Sequence, residues 1–547
     1  MGHSGHFIGC VESGEARDLF GSTSIPFEAA DGTIVEVRGN TARELAARDS
    51  AEAALYAVAK DQRLDPAFSP AVQAEVQRWV ASPGLDELEG WEHLPFVTID
   101  GASSMDLDQA VYVEADGEGH VVHYALADAG YYVRRGSALF AEALTRGASY
   151  YLPGIMVPML PRALSEGLVS LNPGVARRAL MFSMRLDERG ECTETRVERV
   201  RIRSHGKLSF EGVQAFYDGG EGFGDAIDAS LRALVVVGKH RMALAQTRGV
   251  VRYRRQSMEA KLDERGVRFT ATVDARLAVE QYNEQVSLLC NMEGARLLAK
   301  SAKQDKNVEA IYRAHPPPSD EKLQTLENTL ESIARSHGLG DKWRWKRSGE
   351  RPLFEYLQAL PAEGAEGRIA SAIHRQAVMA NVRSSFQANP ASHHGVGAAL
   401  YARFSSPMRE IVGVFLHQEL IEALEGEGNQ DAELHARVID AANGAKAKQR
   451  AASNEGNRLV LDQIFADCEA SGRPIPAVLM GVSRGRAYVR LDDPPIDAKV
   501  YLKGTDLRGD TRLCAVMHGE DALARIGDPV QVVVRAKEGK RWQLEFV

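Results

Sequence analysis

The stretch FVTIDGASSMDLDQAVYVEA, residues 96–115, decides how this chain is interpreted. Its flanks, FVTID and AVYVEA, are rich in β-branched and aromatic residues and predict strands. The first strand ends at Asp100, and a Gly/Ser-rich loop then brings in Asp106 and Asp108. Three carboxylates on one loop repel one another unless a cation lies between them, and hard oxygen ligands favour Mg²⁺ or Mn²⁺. A solvated polar turn is the alternative, because Asp, Gly and Ser are the usual turn residues.

The segments on the C-terminal side of this loop predict one large α+β body. VVHYALAD follows a turn at 116–119 and predicts a hairpin, so residues 96–206 are expected to be mostly sheet. Apolar residues recur at helical spacing over 277–303, 319–337 and 407–424. About five short alternating runs after residue 473 fit a small barrel, of which the OB fold is the commonest with nucleic-acid duties. The predicted fold class is multidomain α+β, with a central domain of mixed sheet and helices over 91–470 and a C-terminal β-barrel over 473–547.

The N-terminal residues predict a different kind of unit. Residues 1–26 are Gly/Ser-rich and aperiodic, which indicates a flexible leader. A capping box at 41–44 predicts a helix to about residue 60, and Ser69-Pro70 predicts a second helix to about residue 81. With one short strand at 33–38, residues 27–90 are expected to form a small, mainly helical domain that is compatible with a winged helix-turn-helix.

Composition excludes several classes of protein. The 547 residues carry 66 Lys and Arg against 75 Asp and Glu, for a formal net charge of −9. Five scattered cysteines without a CxxC or Cys/His cluster argue against a disulfide framework and structural zinc, and favour the reducing cytoplasm. No window approaches 18 apolar residues, and the N-terminus lacks the pattern of an export signal, so no membrane contact is expected.

Residues 367–409 form a local electropositive segment. It holds five arginines, three histidines and no acidic residue, a composition that favours phosphate binding, although a basic surface face is the alternative. At its end, Ser406-Pro407-Met408-Arg409 predicts an N-cap, an N1 proline and an arginine in the first helical turn. Free N–H groups, the helix dipole and a guanidinium would together make an anion site there. An ion pair of Arg409 with Glu410 or Glu44 is the alternative.

Several segments together resemble a known family. FVTIDGASSMDLDQAVYVE resembles the signature of the ribonuclease II family, the RNB domain, in which Ile-Asp is followed by five residues, Asp, one residue and Asp-Asp-Ala. Further similar segments follow in the family's order, and the resemblance covers about residues 90–465. These segments are YALADAGYYV (124–133), YYLPGIMVPMLPRALSEGLVSLNP (150–173), RGVVRY (248–253), NEQVSLLCN (283–291) and HHGVGAALYARFSSPMREIVGVFLH (393–417). The predicted C-terminal barrel is similar to the family's RNA-binding OB domain.

The resemblance implies a site and a reaction. The family hydrolyses RNA processively from the 3′ end to 5′-monophosphates with Mg²⁺ or Mn²⁺. By position, Asp100 and Asp106 resemble metal-holding carboxylates, and Asp108 resembles the aspartate on which catalysis depends most. Gln109 stands where the family has a further aspartate, so its amide oxygen would be a weaker ligand. Arg409 matches the arginine that contacts the scissile phosphate, and the implied catalytic residues are Asp106, Asp108 and Arg409.

The resemblance also implies RNA contacts. Tyr151 and Tyr253 match aromatics that stack on the 3′-terminal bases, and Glu284 matches an acid that can bond a ribose hydroxyl. We also expect His393, Arg403 and Ser406 along the RNA path. The chain departs from the family pattern at Gly413 and Gln418, and its N-terminal region is too short for the usual two cold-shock domains.

The sequence thus predicts a metal-dependent 3′→5′ exoribonuclease acting on single-stranded RNA. We expect a cytoplasmic monomer with no obligate protein partner. The alternative, supported by Gln109, Gly413 and Gln418, is a catalytically weakened RNA-binding homologue that serves as a scaffold or regulator.

Overall fold

The computed structural model describes residues 6–39, 41–254, 257–274, 276–305 and 307–547. It contains an N-terminal sheet with two helices, a central sheet with many helices, and a C-terminal pair of sheets. The predicted class, multidomain α+β with a C-terminal barrel-type unit, is confirmed. All five cysteines are free. Within the described ranges, no helix has both the length and the apolar character needed to span a bilayer.

The N-terminal region forms a five-stranded antiparallel sheet in the order β3-β2-β1-β4-β5. Its elements are β1 (His6–Glu12), β2 (Glu15–Asp18), β3 (Ser24–Pro26), β4 (Ile34–Arg38), β5 (Thr41–Ala46), α1 (Ala51–Asp61) and α2 (Pro70–Ala81). A small apolar core of its own consists of Phe7, Val11, Ala16, Val35 and Val37.

The flexible leader predicted for residues 1–26 is wrong from residue 6 onward, and residues 1–5 lie outside the described part of the chain. Glycine and serine here serve a tight turn. Ser13 and Gly14 join β1 to β2 with φ of 54° and 78°, as two-residue hairpin turns require.

The helix predicted from the capping box at 41–44 is also wrong. These residues belong to β5, which pairs with β4, and α1 starts ten residues later behind Ser50, whose Oγ accepts the N–H of Ala53 at 3.1 Å. Pairing to a neighbouring strand overrides a purely local capping signal. The helix predicted behind Ser69 is confirmed as α2. Within residues 27–90, α1 and α2 follow two strands, β4 and β5, of the five-stranded sheet, where the sequence predicted one short strand.

The central sheet has seven strands in the order β14-β7-β8-β9-β12-β13-β6. Its pairs are antiparallel except β14 with β7 and β6 with β13. The hairpin predicted at 116–119 is confirmed between β8 and β9. The elements here are β6 (Glu89–Gly90), β7 (Val97–Asp100), β8 (Gln109–Asp116), β9 (Gly119–Ala127), α3 (Ala129–Tyr132), α4 (Ala138–Arg146), β10 (Tyr150–Leu152), β11 (Ile155–Val157), β12 (Ala176–Leu186), β13 (Cys192–Arg203) and β14 (Gly206–Ser209).

Helices then complete the central body. The long helix α7 contacts β9, and α6 lies on β8, where the Oγ of Ser230 accepts the N–H of Val113 at 2.8 Å. The elements are α5 (Phe210–Tyr217), α6 (Asp225–Thr247), β15 (Ser257–Leu262), β16 (Phe269–Asp274), α7 (Ala278–Gln304), β17 (Tyr312–Ala314), α8 (Asp320–Ser336), α9 (Leu353–Gln358), α10 (Gly364–Ala380), β18 (Ser385–Gln387), α11 (Ile411–Glu425) and α12 (Ala432–Ser471).

The C-terminal region has eight strands in two sheets, ordered β21-β20-β19-β25-β26 and β22-β23-β24. Its strands are β19 (Ile475–Ser483), β20 (Arg486–Leu491), β21 (Asp497–Tyr501), β22 (Leu507–Asp510), β23 (Ala515–His518), β24 (Asp521–Arg525), β25 (Pro529–Glu538) and β26 (Arg541–Phe546). Helix α12 joins it to the central body, with Phe465 edge-on to Trp542 at 6.0 Å. The strands are consistent with the predicted OB-type unit.

The core of the N-terminal sheet gives the first testable prediction. Phe7→Ala should destabilise this sheet by about 3–5 kcal/mol, because a buried ring is lost from a small core. Native-state proteolysis and amide exchange of β1 and β4 would measure the change. Glu12→Ala, exposed at the end of the same strand, is the control and should stay within about 0.5 kcal/mol. Equal protection in both variants would mean that β1 is not part of an ordered sheet.

Candidate active site

The carboxylate loop leaves the sheet at Asp100 and re-enters it at Gln109, and the segment around residue 170 holds it from behind. The Oγ of Ser170 donates to the carbonyl of Met105 at 2.8 Å and accepts the N–H of Leu107 at 3.0 Å. The N–H of Leu171 donates to the carbonyl of Leu107 at 3.0 Å. The loop therefore has a fixed backbone and is not a free polar turn.

Asp108 is the centre of the site. It is only 2% exposed, and both carboxylate oxygens have partners. Oδ1 accepts the N–H of Met408 at 3.0 Å, and Oδ2 accepts the Nε–H of Arg409 at 2.5 Å. Burial raises the pKa of Asp108, while Arg409 and the Met408 amide oppose that rise. The structure therefore brings Asp108 and Arg409, both predicted as site residues, into direct contact.

Asp100 and Asp106 lie close enough to Asp108 to interact electrostatically. Burial raises the pKa of Asp100 to about 7, with Arg409 opposing and the carboxylates of Asp108 and Asp106 adding to the rise. Asp106 accepts the hydroxyl of Tyr151 at 3.2 Å. Across the described residues, no group of three or more His, Cys, Asp or Glu is arranged to hold a metal ion. Asp100 and Asp106 are more open to a cation than Asp108, each of whose oxygens already accepts a hydrogen bond.

Gln109 uses both ends of its amide away from these carboxylates. Its Nε2 donates to the carbonyl of Ser405, and its Oε1 accepts the hydroxyl of Tyr124. The structure therefore does not support the prediction that Gln109 is a metal ligand. It instead connects the central sheet to the segment that carries Arg409.

A polar stripe on α7, which sequence reasoning missed, holds that same segment. Asn283, Ser287 and Asn291 recur every four residues on one helix face. Asn283 donates to the carbonyl of Ile99 at 3.2 Å, and Ser287 bonds the Oγ of Ser405 at 2.9 Å. Asn291 is completely buried, and its Oδ1 accepts the N–H groups of residues 404 and 405. The four-residue spacing of these small polar side chains on α7 was the available signal.

The helix start predicted at Ser406 is wrong. Ser405 lies in a bend and residues 406–409 form a turn (together the 405–409 turn). Helix α11 begins at Ile411, because Glu410 is extended and bridges to Ala148. Gly413, in the first turn of α11, allows the preceding turn to pack closely against the helix. A Cβ there would lie 2.9 Å from the Cα of Pro407 and 3.2 Å from the carbonyl oxygen of Ser406. The anion site is therefore a turn packed on a helix, and it lacks the predicted N-cap.

The predicted RNA-contacting residues fall in different places. Tyr151 is 49% exposed beside Asp106, whereas Tyr253 and Glu284 line a cavity of about 1190 Å³ whose lining does not include the carboxylate loop. Glu284 pairs with Arg276 at 2.7 Å, and Tyr253 exchanges hydrogen bonds with Asn381. The arginines of this cavity are Arg252, Arg254, Arg276, Arg368 and Arg490.

The other three predicted RNA contacts are less accessible. His393 is 9% exposed between His315 and Tyr401, and burial lowers its pKa to about 4. Ser406 is buried within the turn, and the half-buried Arg403 pairs with Glu410 at 3.3 Å. Burial leaves His393 and Ser406 little surface for direct contact with RNA.

Comparison with known proteins connects this geometry to a family. The model of the RNB domain matches residues 89–426, which include the carboxylate loop, α7 and the Arg409 turn. The chain belongs to the RNB-domain family.

Individual proteins are similar to this RNB chain in sequence or in fold. It is similar to ribonuclease R of Vibrio cholerae serotype O1, with 30% identity over 486 residues, which are 83% of this chain and 56% of the relative. The chain thus spans about half the length of this curated relative. In fold it resembles Mycoplasma genitalium RNase R in complex with ribose methylated single-stranded RNA, with a TM-score of 0.81, 19% identity and coverage of 99% of this chain and 90% of that one. It also resembles yeast Ssd1, described as a pseudonuclease, with a TM-score of 0.66, 12% identity and coverage of 97% and 68%.

The departures of this RNB chain at α11 have structural roles. Gln418 donates to the carbonyls of Gly130 and Val133 at 3.0 and 2.8 Å and so closes the C-terminal end of α3. His417 donates through Nε2 to the carbonyl of Phe404 at 3.0 Å. Both residues bind segments next to the site. The residues at positions 417 and 418 therefore still stabilise the site, although position 418 departs from the family pattern.

His417 gives a pH-dependent prediction. Burial lowers its pKa from 6.5 to about 4, although Asp128 opposes the shift. The unfolded chain therefore binds more protons between pH 6.5 and 4, and the free energy of unfolding falls as the pH falls through this window. His417→Phe, which keeps a ring next to Phe404, should reduce that slope by up to about 1.4 kcal/mol per pH unit. Denaturant titrations across the window measure the slope, and an identical slope in both proteins would contradict the prediction.

Proposed function

We propose that this chain is a metal-dependent exoribonuclease that hydrolyses single-stranded RNA from the 3′ end to 5′-nucleoside monophosphates. The observation that carries the proposal is the buried Asp108, held by the Met408 amide and the Arg409 guanidinium beside two further carboxylates. The arrangement places a fixed cationic donor beside oxygen ligands, which are the groups that phosphodiester hydrolysis uses.

Arg409 is suited to stabilise negative charge on phosphate. Asp108 accepts from its Nε, and Ser406 Oγ lies 3.4 Å from Nη2, so the guanidinium is fixed. Most of its five N–H groups have no partner among the described residues. Its side chain is 36% exposed. Fixed charged donors directed at the place where charge develops supply a large part of catalysis.

Asp100 and Asp106 fit a divalent cation. Both offer carboxylate oxygens as ligands. Among the described residues, no group donates a hydrogen bond to the Asp100 carboxylate, and burial raises its pKa to about 7. Mg²⁺ or Mn²⁺ bound there supplies Lewis-acid polarisation of the phosphate and a template for in-line attack. The chain's own contribution is to hold these two carboxylates at a fixed position relative to Arg409.

Exposed aromatic and cationic groups support RNA as the substrate. Tyr151 presents half of its surface while its hydroxyl is anchored on Asp106, so its ring can stack on a terminal base regardless of sequence. The arginine-lined cavity between α7, α10 and the C-terminal sheets has an excess of positive charge for a single strand. Monomeric state and cytoplasmic location stay predictions from the sequence.

The alternative of a catalytically weakened RNA-binding homologue has specific support. Gln109 is engaged away from the carboxylates, and a fold neighbour is described as a pseudonuclease. The same experiment distinguishes the two functions.

Asp108→Asn tests the proposal. The substitution keeps the shape but removes the charge that holds Arg409, so turnover should fall at least about 100-fold while RNA affinity stays largely intact. The assay is a time course on 5′-labelled single-stranded RNA of about 30 nucleotides, first in Mg²⁺ and then in Mn²⁺. We expect the wild-type protein to convert full-length RNA into a short end product without a ladder. Intact RNA with a gel shift in both proteins would favour the binding homologue.

Gly413→Ala tests the turn that carries Arg409. The added methyl would meet backbone atoms of Pro407 and Ser406, which cannot move cheaply. A displacement of the turn by about 1 Å should lower kcat by up to about 100-fold, with a small effect on RNA affinity. Gly444→Ala, at an open position of α12, is the matched control. Equal kcat for both variants would show that the close packing on α11 does not set the position of Arg409.

A further inference from the structure

Gln109 and Tyr124 lie on the same face of the central sheet, on the neighbouring strands β8 and β9. Val111 pairs directly with Tyr124 across β8 and β9, and Gln109 is two residues earlier on the same strand face. The Tyr124 ring is buried, and its hydroxyl donates to Oε1 of Gln109. The carbonyl of Ser405 can only accept, so it requires the NH₂ group of Gln109, and this leaves Oε1 to accept the Tyr124 hydroxyl.

Ser405 is completely buried, and each of its polar groups has a partner. Its N–H donates to Asn291, and its Oγ bonds Ser287 and Asn291, all from α7. Gln109 supplies the partner of the remaining group, the carbonyl. A buried carbonyl without a donor would be destabilising, so this contact fixes the first residue of the 405–409 turn against the sheet.

Only an amide satisfies both neighbours of residue 109. A carboxylate could accept from Tyr124 but would place a second acceptor against the Ser405 carbonyl, and an alkyl chain would satisfy neither. Three residues after Ser405, the same turn presents the Met408 N–H and then Arg409 to Asp108.

We propose that Gln109 is a positioning residue that holds the Ser405 carbonyl, and through it Arg409, on Asp108, and that it is not a ligand of the divalent cation. The proposal rests on the proposed function for its kinetic consequence. Its structural consequence, an immobile 405–409 turn, does not depend on activity.

The experiment uses the full chain with Gln109→Met, which removes both hydrogen bonds at similar length, and Gln109→Glu, which keeps the acceptor for Tyr124 and loses the donor to Ser405. Gln324→Met on the exposed face of α8 is the matched control. Measured quantities are kcat and KM on single-stranded RNA, the Mn²⁺ dissociation constant by electron paramagnetic resonance, and amide exchange of residues 404–410.

We expect both Gln109 variants to lose about 10- to 100-fold in kcat, as misplaced catalytic groups do. In the neutral Gln109→Met variant, KM and Mn²⁺ affinity should stay within about twofold of wild type. Amide exchange at 404–410 should accelerate in both variants and stay unchanged in Gln324→Met. In an Arg409→Ala background, Gln109→Met should change kcat by less than about threefold, because the group that Gln109 positions is already gone.

A metal-ligand role predicts the opposite pattern. Gln109→Met would then weaken Mn²⁺ binding by about tenfold or more, and the effects of Gln109→Met and Arg409→Ala would multiply. Any of these results, or unchanged amide exchange at 404–410, would overturn the proposal. Absence of nucleotide release by wild-type protein would refute the proposed function instead, and the exchange and Mn²⁺ measurements would still decide the role of Gln109.

Discussion

Asp108 is a buried carboxylate whose charge is balanced by one guanidinium and one backbone amide that lie 300 residues further along the chain. Removing one partner of such a pair costs about 3–5 kcal/mol, since the other charge stays buried without compensation. Three parts of the fold must therefore agree in position: the β7–β8 loop, helix α7 and the turn before α11. The rest of the central body can be understood as the support that keeps these three parts in register.

The support is divided between charged and neutral contacts. The pair of Asp108 and Arg409 fixes the end of the 405–409 turn, while Asn291, Ser287 and Gln109 fix its beginning through Ser405. Gly413 has no side chain, so the turn can pack directly against α11. A fully bonded buried network of this kind specifies a single arrangement, because each unpaired polar group would be destabilising.

Much of the site could be predicted from the sequence, because its signals are local. Asp100, Asp106 and Asp108 lie within nine residues, and the motif around Arg409 is also short. Secondary structure was predicted well where local and tertiary preferences agree, as at Ser69 and Pro70 before α2. It failed at residues 41–44, where pairing with β4 makes a strand out of a helix-capping pattern, and at 406–410, where a bridge to Ala148 delays α11. The leader prediction failed because glycine and serine serve tight hairpins as well as flexible segments.

The roles of Gln109 and Asn291 could not be assigned in this way, because their partners are remote in sequence. Ser405 lies 296 residues from Gln109 and 114 from Asn291, and only the folded chain brings them together. Both side chains are uncharged, and the charges of the site explain why. Under the proposed function, the site receives both a polyanion and a divalent cation and depends on the balance between Arg409 and its carboxylates. A further charge on the supporting residues would attract one ligand and repel the other. Neutral amide and hydroxyl groups can hold the turn without disturbing that balance. Under the proposed function, a glutamine at position 109 is compatible with catalysis, because it holds the arginine and leaves the cation to Asp100 and Asp106.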